Sequence, residues 1–293
     1  MPGRPLQDPP QWPLPTLETA SGCFETMRVY DGKIFRLPGH LDRLYASAKF
    51  LGVTIPDAQA PFGRRLNGAV DRSGLREAII RVAMIPDSGA DGELRAAAAG
   101  TITRRVIRPS IVVQPVKMPT ADMYRRGIAI AVVPTRKFPV GQIDPQAKFS
   151  ARLGSILAVM DAQLRGVEEA LFLDADTGSV TESTASNFGI IKRGAFLAAP
   201  CWLGLLPGIT WLALINVARR AGLTIEETPL TRHDVYNADE AFLSSTIKEV
   251  LPVTTIDGRH IGSGAPGHHT TRLLHAFRAL VRRELRLPSE YRW

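Results

Sequence analysis

The chain has 293 residues, of which 45% are hydrophobic, and its formal net charge is +8. That length fits two modest domains or one large unit, and the composition can supply a sizeable buried core. The positive charge comes from scattered arginines, and no basic run interleaved with aromatic residues is present, which argues against a nucleic-acid partner. No apolar stretch reaches the roughly eighteen residues of a membrane helix, so we expect no membrane association.

Two cysteines, Cys23 and Cys201, lie far apart in the sequence. Their number and spacing argue against a disulfide framework and favour a reducing, cytoplasmic location. Residues 1–20 are rich in proline and lack the hydrophobic centre of an export signal. We therefore expect a flexible tail at 1–20.

The first half of the chain predicts a hairpin followed by a helix. A strand from Cys23 to Val29 leads to the turn signal Asp31-Gly32, and the return strand follows at 33–37. Residues 40–51 predict a helix with an apolar face formed by Leu41, Leu44, Tyr45 and Ala48. A second helix at 60–72, strands at 78–85 and 110–116, and a loop at 86–100 complete this half.

The second half predicts strands and helices without strict alternation. The expected strands are 128–133, 170–174, 179–182, 187–191 and 240–244, and the expected helices are 209–221 and 269–285. A further helix follows Lys148, and its apolar stripe comprises Leu153, Ile156, Leu157, Met160 and Leu164. The fold class is therefore predicted as α+β in two lobes, a small domain at 21–117 and a large domain at 118–293.

A lysine, a glutamate and several anion-binding elements suggest one kind of chemistry when taken together. Lys148 offers an amine, Glu182 follows a strand, and residues 206–210 open a helix whose N–H groups suit a phosphate. Ser245-Thr246 and Arg43 add further phosphate donors. Pyridoxal 5′-phosphate needs this combination: an amine for a Schiff base, a carboxylate for the ring nitrogen, and donors for the phosphate.

The order and spacing of six stretches resemble the class IV aminotransferases, which are the fold-type IV pyridoxal-phosphate enzymes. That group includes branched-chain and D-amino acid aminotransferases, (R)-selective amine aminotransferases and aminodeoxychorismate lyases. The six stretches cover most of the chain from residue 23 onward: FETMRVYDG (24–32), HLDRLYASA (40–48), KFSARLGSILA (148–158), VTESTASNFGII (180–191), LLPGITW (205–211) and ADEAFLSSTIKEVLPV (238–253).

The resemblance implies a role for each matching residue. Lys148 corresponds to the catalytic Schiff-base lysine, and Glu182 to the partner of the pyridine nitrogen. Arg43 corresponds to the phosphate-binding arginine of the HxxRL motif, and Leu206 packs on a face of the ring. The remaining implied contacts are phosphate binding by Ile209, Thr210, Ser245 and Thr246, and lining of the substrate side by Phe24.

The resemblance also implies a ping-pong transamination between an amino acid or amine donor and a 2-oxo acid acceptor, carried out by a homodimer. The donor class stays open between D-amino acids, branched-chain L-amino acids and amines. Two alternatives stay open: a lyase of the aminodeoxychorismate type with the same cofactor, and a non-catalytic descendant that binds the cofactor or nothing. The segment KFSARL resembles the lyases, whereas SSTIKEVLPV is more similar to the aminotransferases. Transamination is therefore the favoured prediction, with pyridoxal 5′-phosphate as cofactor.

The chain departs from the family at two places. The extra N-terminal strand is not recognisable, and Met84-Ile85-Pro86 stands where several members carry an Arg-Gly pair that binds carboxylate. A substrate carboxylate must then find another partner. Arg28 is one candidate because alternate residues of a strand share a face with Phe24. Arg152 and the pair Arg104-Arg105 are the others.

Overall fold

The computed structural model describes residues 22–86, 105–138, 140–141 and 143–293. The predicted tail at 1–20 and residues 87–100 of the predicted loop lie outside these ranges. No helix within the described part of the chain is long and apolar enough to cross a membrane.

Within the described residues, five strands of the N-terminal part form one sheet. They are β1 (Cys23–Tyr30), β2 (Lys33–Ile34), β3 (Val53–Thr54), β4 (Ala78–Pro86) and β5 (Arg105–Pro115), in the order β2-β1-β4-β5-β3. The predicted hairpin is confirmed. Asp31 and Gly32 join β1 to β2 with φ values of 50° and 76°, the left-handed pair that a two-residue hairpin turn requires.

Two helices pack on this sheet, α1 (Leu37–Phe50) and α2 (Gln59–Ser73). The predicted apolar face of α1 is buried at Leu41, Leu44 and Ala48, and α2 adds Phe62 and Leu66 to the same core. Helix α1 begins three residues earlier than predicted. Pro38 is near its first position, where the missing N–H costs nothing, so the helix begins before the apolar repeat does.

The C-terminal part of the described chain forms a second, nine-stranded sheet. Its order is β11-β10-β9-β12-β13-β6-β7-β8, with β14 paired to β13. Strand β6 runs parallel to both β13 and β7, while the other pairs are antiparallel except β10 with β11. The strands are β6 (Ile128–Lys137), β7 (Glu169–Asp174), β8 (Val180–Ser183), β9 (Asn187–Lys192), β10 (Ala195–Ala198), β11 (Ile225–Glu227), β12 (Glu240–Ser245), β13 (Glu249–Ile256) and β14 (Arg259–His260).

Five helices of the described residues accompany this sheet: α3 (Ala121–Arg126), α4 (Leu153–Leu164), α5 (Ile209–Arg220), α6 (Arg232–Tyr236) and α7 (His268–Leu285). Helices α5 and α7 pack over one face and share a core with strand residues Phe196 and Phe242. Trp211 meets Phe196 edge to face, with ring centres 5.2 Å apart. The mixture of strands and helices is α+β, as predicted, whereas the predicted boundary at 117–118 stays a prediction.

The predicted apolar stripe of helix α4 does not face the core of the chain. Only Ala158 and Ala162 of this helix are buried, against Phe172 and its neighbours. The stripe is exposed: Leu153 by 68%, Ile156 by 45%, Leu157 by 47%, Met160 by 53% and Leu164 by 86%. The hydrophobic period identifies a face that needs a cover, but it does not say whether the same chain provides that cover.

Candidate active site

A cavity of about 720 Å³ opens between the two sheets of the described structure. Its wall combines β1, β4, the segment before α4, the ends of β8 and β12, and the start of α5. These elements are distant in sequence, and the cavity is where they meet. Of the residues predicted for the site, the following line it: Phe24, Arg43, Lys148, Arg152, Glu182, Leu206, Ile209, Thr210, Ser245 and Thr246.

Lys148 is held by the backbone of the small sheet. The segment 148–150 runs beside β1, with hydrogen bonds from Phe24 N to Lys148 O at 3.0 Å and from Ser150 N to Gly22 O at 2.8 Å. The amide of Lys148 donates to Ser47 Oγ on α1 at 2.9 Å. Its Nζ atom lies 4.6 Å from the centre of the Phe24 ring. These bonds fix the backbone of Lys148, and its amine lies in the cavity over the Phe24 ring.

The surroundings of Lys148 favour a neutral amine. Burial, and after it the positive charge of Arg43, lower the pKa of this lysine to about 7, while Glu25 opposes the shift. A neutral amine at the pH of the cell is a nucleophile, whereas an ordinary exposed lysine is almost fully protonated there. The site thus activates Lys148.

Two of the charged groups that act on Lys148, Arg43 and Glu25, belong to a network with His40. Arg43 donates from Nε to Glu25 Oε1 at 2.7 Å and from Nη2 to Oε2 at 2.9 Å, and His40 Nδ1 lies 2.8 Å from the same Oε2. Burial alone would raise the pKa of Glu25, but Arg43 and His40 hold it at about 2. Glu25 is therefore a fixed negative charge that orients Arg43.

Arg43 keeps donors available for an anion. Its third hydrogen bond runs from Nη1 to Pro207 O at 2.8 Å, so residues of the described chain use three of its five N–H groups. The remaining two can serve a ligand at the cavity wall. Close by, α5 begins at Ile209 with Gly208 as N-cap and no side-chain cap, so its first N–H groups suit an anion. This corner suits a phosphate.

Glu182 is anchored at both oxygens. Its Oε2 accepts from Asn187 Nδ2 at 3.1 Å and from the Leu206 amide at 3.2 Å, and its Oε1 lies 2.5 Å from Lys137 Nζ. Asn187 also donates to Leu206 O at 2.8 Å. Gly208 makes this possible, because a Cβ atom there would collide with Asn187 Oδ1.

The candidate carboxylate partners separate into different places. Arg152 lines the cavity, donates to Thr184 O, and lies 5.7 Å from the centre of the Phe24 ring. Arg28 does not line the cavity, although it is on the same strand face as Phe24. Its guanidinium is turned to Glu77 and to the carbonyl oxygen of Ala78, so its predicted substrate contact is not supported. The pair Arg104-Arg105 lies outside the residues whose side chains are described.

The cavity also contains residues that the sequence analysis did not propose. Arg81 lines it from β4, directly opposite Thr26 of β1, so strand alternation would have placed it beside Phe24. The predicted strand ended at residue 133, whereas β6 extends to Lys137, so strand alternation could not have placed Lys137 in the site. Ser183 and Ser244 also line the cavity, and both are buried with hydroxyl groups that have no hydrogen-bond partner among the described residues.

These features fit pyridoxal 5′-phosphate. The cavity provides an activated amine in Lys148, an anchored carboxylate in Glu182, and an anion corner made by Arg43 and the start of α5. The hydroxyls of Ser183 and Ser244, which bond to no described residue, offer further donors to a polar ligand. The fold and the site together are those of a fold-type IV pyridoxal-phosphate enzyme.

Comparison with known proteins specifies the class further. Residues 22–256 match the family described as amino-transferase class IV. A putative branched-chain-amino-acid aminotransferase of Methanocaldococcus jannaschii is 36% identical over 260 residues, covering 88% of this chain and 86% of that protein. A D-alanine aminotransferase of Bacillus licheniformis is 30% identical, covering 84% and 82%. The chain belongs to the class IV aminotransferase family.

Solved structures agree with this result. The T.th. branched-chain amino acid aminotransferase, determined with pyridoxamine 5′-phosphate, superposes with a TM-score of 0.84 at 29% identity, covering 94% of this chain and 88% of that one. The Escherichia coli branched-chain enzyme gives a TM-score of 0.81 at 27% identity, covering 94% of this chain and 90% of that one. The protein is a transaminase that uses pyridoxal 5′-phosphate, and neither the lyase nor the non-catalytic alternative is favoured.

Proposed function

We propose that this enzyme transfers the amino group of an apolar, branched-chain type L-amino acid to a 2-oxo acid by a ping-pong mechanism, with Lys148 as the catalytic residue. The observation that carries the proposal is the enclosed amine of Lys148, whose pKa is lowered to about 7 within a cavity that also contains Glu182. Transamination needs such an amine twice: to bind the cofactor aldehyde, and to move a proton.

The chain's own residues divide the remaining work. Bound pyridoxal 5′-phosphate supplies an electron-withdrawing ring that stabilises negative charge on the substrate carbon beside the amino group. Glu182 holds the ring nitrogen, and Leu206 packs on a ring face. Arg43 binds the phosphate together with Ile209, Thr210, Ser245 and Thr246, all of which line the cavity.

Lys148 also serves as the proton carrier. Lys148 Nζ lies over the Phe24 ring inside the cavity, where it would be available to move a proton at the substrate carbon once the substrate amine had displaced it. Its lowered pKa lets Nζ accept a proton and return it near neutral pH. The backbone hydrogen bonds that join 148–150 to β1 keep this amine in position.

Two arginines suit the carboxylate of the substrate. Arg81 from β4 and Arg152 before α4 both line the cavity on the side of Phe24, and the charge of Arg81 contributes to lowering the pKa of Arg152. A guanidinium binds a carboxylate through two parallel N–H groups, which fixes the orientation as well as the charge. Arg152 thus keeps its predicted role, and Arg81 takes the role that was predicted for Arg28.

The apolar part of the cavity favours a hydrophobic side chain. Phe24, Ile85, Met118, Phe149 and Phe172 line it. Apolar walls stabilise a substrate side chain by removing it from water, at about 25 cal/mol per Å². Several relatives carry branched-chain aminotransferase names. One structural neighbour was solved with 4-methylvaleric acid, which has the carbon skeleton of leucine.

The test is amino transfer to 2-oxoglutarate from L-leucine and, separately, from D-alanine, followed as glutamate formed. We expect L-leucine to be the better donor by at least about tenfold in kcat/KM. If D-alanine is the better donor, the activity would instead be that of a D-alanine aminotransferase, the name that two of the relatives carry. No transfer from any amino acid would overturn the proposal.

The same proposal includes a homodimer, and α4 supports it. The exposed stripe defined by Leu153, Ile156, Leu157, Met160 and Leu164 is continuous on one helix face. Gly154 and Ser155 of that helix line the cavity, so a second copy covering the stripe would lie next to the active site. Two free cysteines, with no disulfide between them, support the proposed cytoplasmic location.

A further inference from the structure

The carboxylate of Glu182, the proposed partner of the cofactor ring nitrogen, also forms an ion pair with Lys137. Lys137 Nζ lies 2.5 Å from Glu182 Oε1, on the cavity wall, with 19% of the lysine side chain exposed. The other oxygen, Oε2, is taken by Asn187 Nδ2 and the amide of Leu206. A carboxylate offers about four acceptor positions, and described residues occupy three of them here. The position left for a further donor is on Oε1, beside the lysine.

The backbone places Lys137 there through an irregular strand. Strand β6 pairs in parallel with β7, and the register shifts between Val132 and Arg136 before the pair Lys137–Asp174. Such an irregularity re-aims the side chains that follow it. Lys137 then passes over Phe172, with its Nζ atom 5.8 Å from the ring centre, on the way to Glu182. The ion pair therefore joins Lys137 of β6 to Glu182 of β8, across the intervening strand β7.

We propose that Lys137 is a positioning residue that tunes the cofactor ring by sharing the negative charge of Glu182. The inference rests on the proposed role of Glu182 as partner of the ring nitrogen. A cation beside the acceptor oxygen repels a proton on the ring nitrogen and draws part of the carboxylate charge toward itself. Lys137 thus weakens the hold of the ring nitrogen on its proton and moderates the ring as an acceptor of electrons.

The alternative is that Lys137 only keeps Glu182 in place. The two roles predict opposite changes when the charge is removed. Without a repelling ammonium, the ring nitrogen should hold its proton more tightly. With a misplaced Glu182, it should hold its proton less tightly. The sign of the change therefore separates the roles, which a loss of activity alone would not do.

The experiment uses the holoenzyme loaded with pyridoxal 5′-phosphate labelled with ¹⁵N in the ring, and follows the ¹⁵N resonance across pH. In Lys137→Met, which keeps length and removes charge, we expect the ring nitrogen to lose its proton at a pH higher by about one unit. Lys137→Arg should restore the wild-type value. Arg136→Met, which removes the neighbouring cavity charge that donates to Val133 O, should shift it much less.

Each outcome is informative. If the ring nitrogen of Lys137→Met loses its proton at the same pH as in the wild type, or at a lower pH, the tuning role is overturned. Cofactor attached to Lys148 in that variant would still support the proposed function. If Glu182→Gln binds the cofactor and its ring nitrogen loses the proton at the same pH as in the wild type, the roles assigned to Glu182 and to Lys137 are both wrong. A shift of equal size in Arg136→Met also contradicts the proposal, because it would reduce the effect to general cavity charge.

Discussion

Arg43 and Glu25 meet through two parallel hydrogen bonds, from Nε to Oε1 at 2.7 Å and from Nη2 to Oε2 at 2.9 Å. Glu25 is fully buried, so this carboxylate has no water to compensate for a lost partner. The charges of both residues act on Lys148, and the pair orients the arginine that faces the proposed phosphate corner. It joins the stability of the small sheet to the geometry of the site.

Breaking that pair should cost stability. In Glu25→Gln, Arg43 loses its counter-charge although its side chain is only 10% exposed, and we expect the free energy of unfolding to fall by about 3 kcal/mol. Denaturation by urea measures this. Glu284→Gln removes the partner of Arg36 in a more exposed ion pair and is the matched control, with an expected loss below about 1 kcal/mol. Equal losses in the two variants would contradict the account.

The same variant has a pH signature. The pKa of Glu25 is about 2 in the folded chain and 4.5 as its ordinary value. A lowered pKa means that the carboxylate stabilises the fold above pH 4.5, and that this contribution is lost as the pH falls toward 2. The difference between wild type and Glu25→Gln should therefore shrink across that interval.

Lys148 should also make stability rise with pH, but in a higher interval and because its folded-state burial is unfavourable to the charged form. Its pKa is about 7 in the fold and 10.5 ordinarily, so the unfolded chain binds more protons between these values and stability rises with pH there. Lys148→Met removes the enclosed amine. In the cofactor-free protein we expect it to be more stable than wild type by about 2 to 4 kcal/mol near pH 7, with the gain vanishing toward pH 10.5. A gain that does not vary with pH would contradict the lowered pKa.

Gly208 should tolerate no larger side chain. A Cβ atom would collide with Asn187 Oδ1 and displace the amide that anchors Glu182. We expect Gly208→Ala to weaken cofactor binding by about tenfold, or about 1.4 kcal/mol. Gly141→Ala, where a Cβ atom meets nothing within 4 Å, is the control and should bind the cofactor as wild type does.

The exposed stripe of α4 predicts the oligomeric state. We expect the wild-type protein to be a dimer by light scattering, and the double variant Leu157→Glu with Met160→Glu to be a monomer, because two charges would replace apolar contact area. Leu212→Glu changes an exposed leucine on α5 instead and should leave the dimer intact. A dimer that persists in the double variant would place the interface elsewhere.

The sequence predicted much of this molecule because local signals and the site coincide. The Asp31-Gly32 turn, the apolar face of α1, and the ends of α5 and α7 depend on short-range geometry, and the structure has them within about three residues of the predicted limits. The motif residues from Phe24 to Thr246 were also expected to gather, and they line one cavity.

What the sequence could not show depends on tertiary pairing. Arg81 faces the cavity because β4 pairs with β1 in one register, and Lys137 reaches Glu182 only after a register shift in β6. Arg28 is on the same strand face as Phe24, but its guanidinium forms an ion pair with Glu77 instead of facing the cavity. The stripe of α4 has the right period, yet its cover is not part of the described chain. The cases of Arg81, Lys137 and Arg28 depend on contacts between segments far apart in sequence.

The most direct test of the central claim is to bind pyridoxal 5′-phosphate, reduce the protein with borohydride, digest it, and locate the labelled peptide by mass spectrometry. We expect the cofactor to be attached to Lys148, and Lys148→Ala to be folded but to carry no label and to lack the yellow absorption band of the lysine-bound cofactor. A label on another lysine of the wild-type protein, or a band that persists in Lys148→Ala, would contradict the assignment.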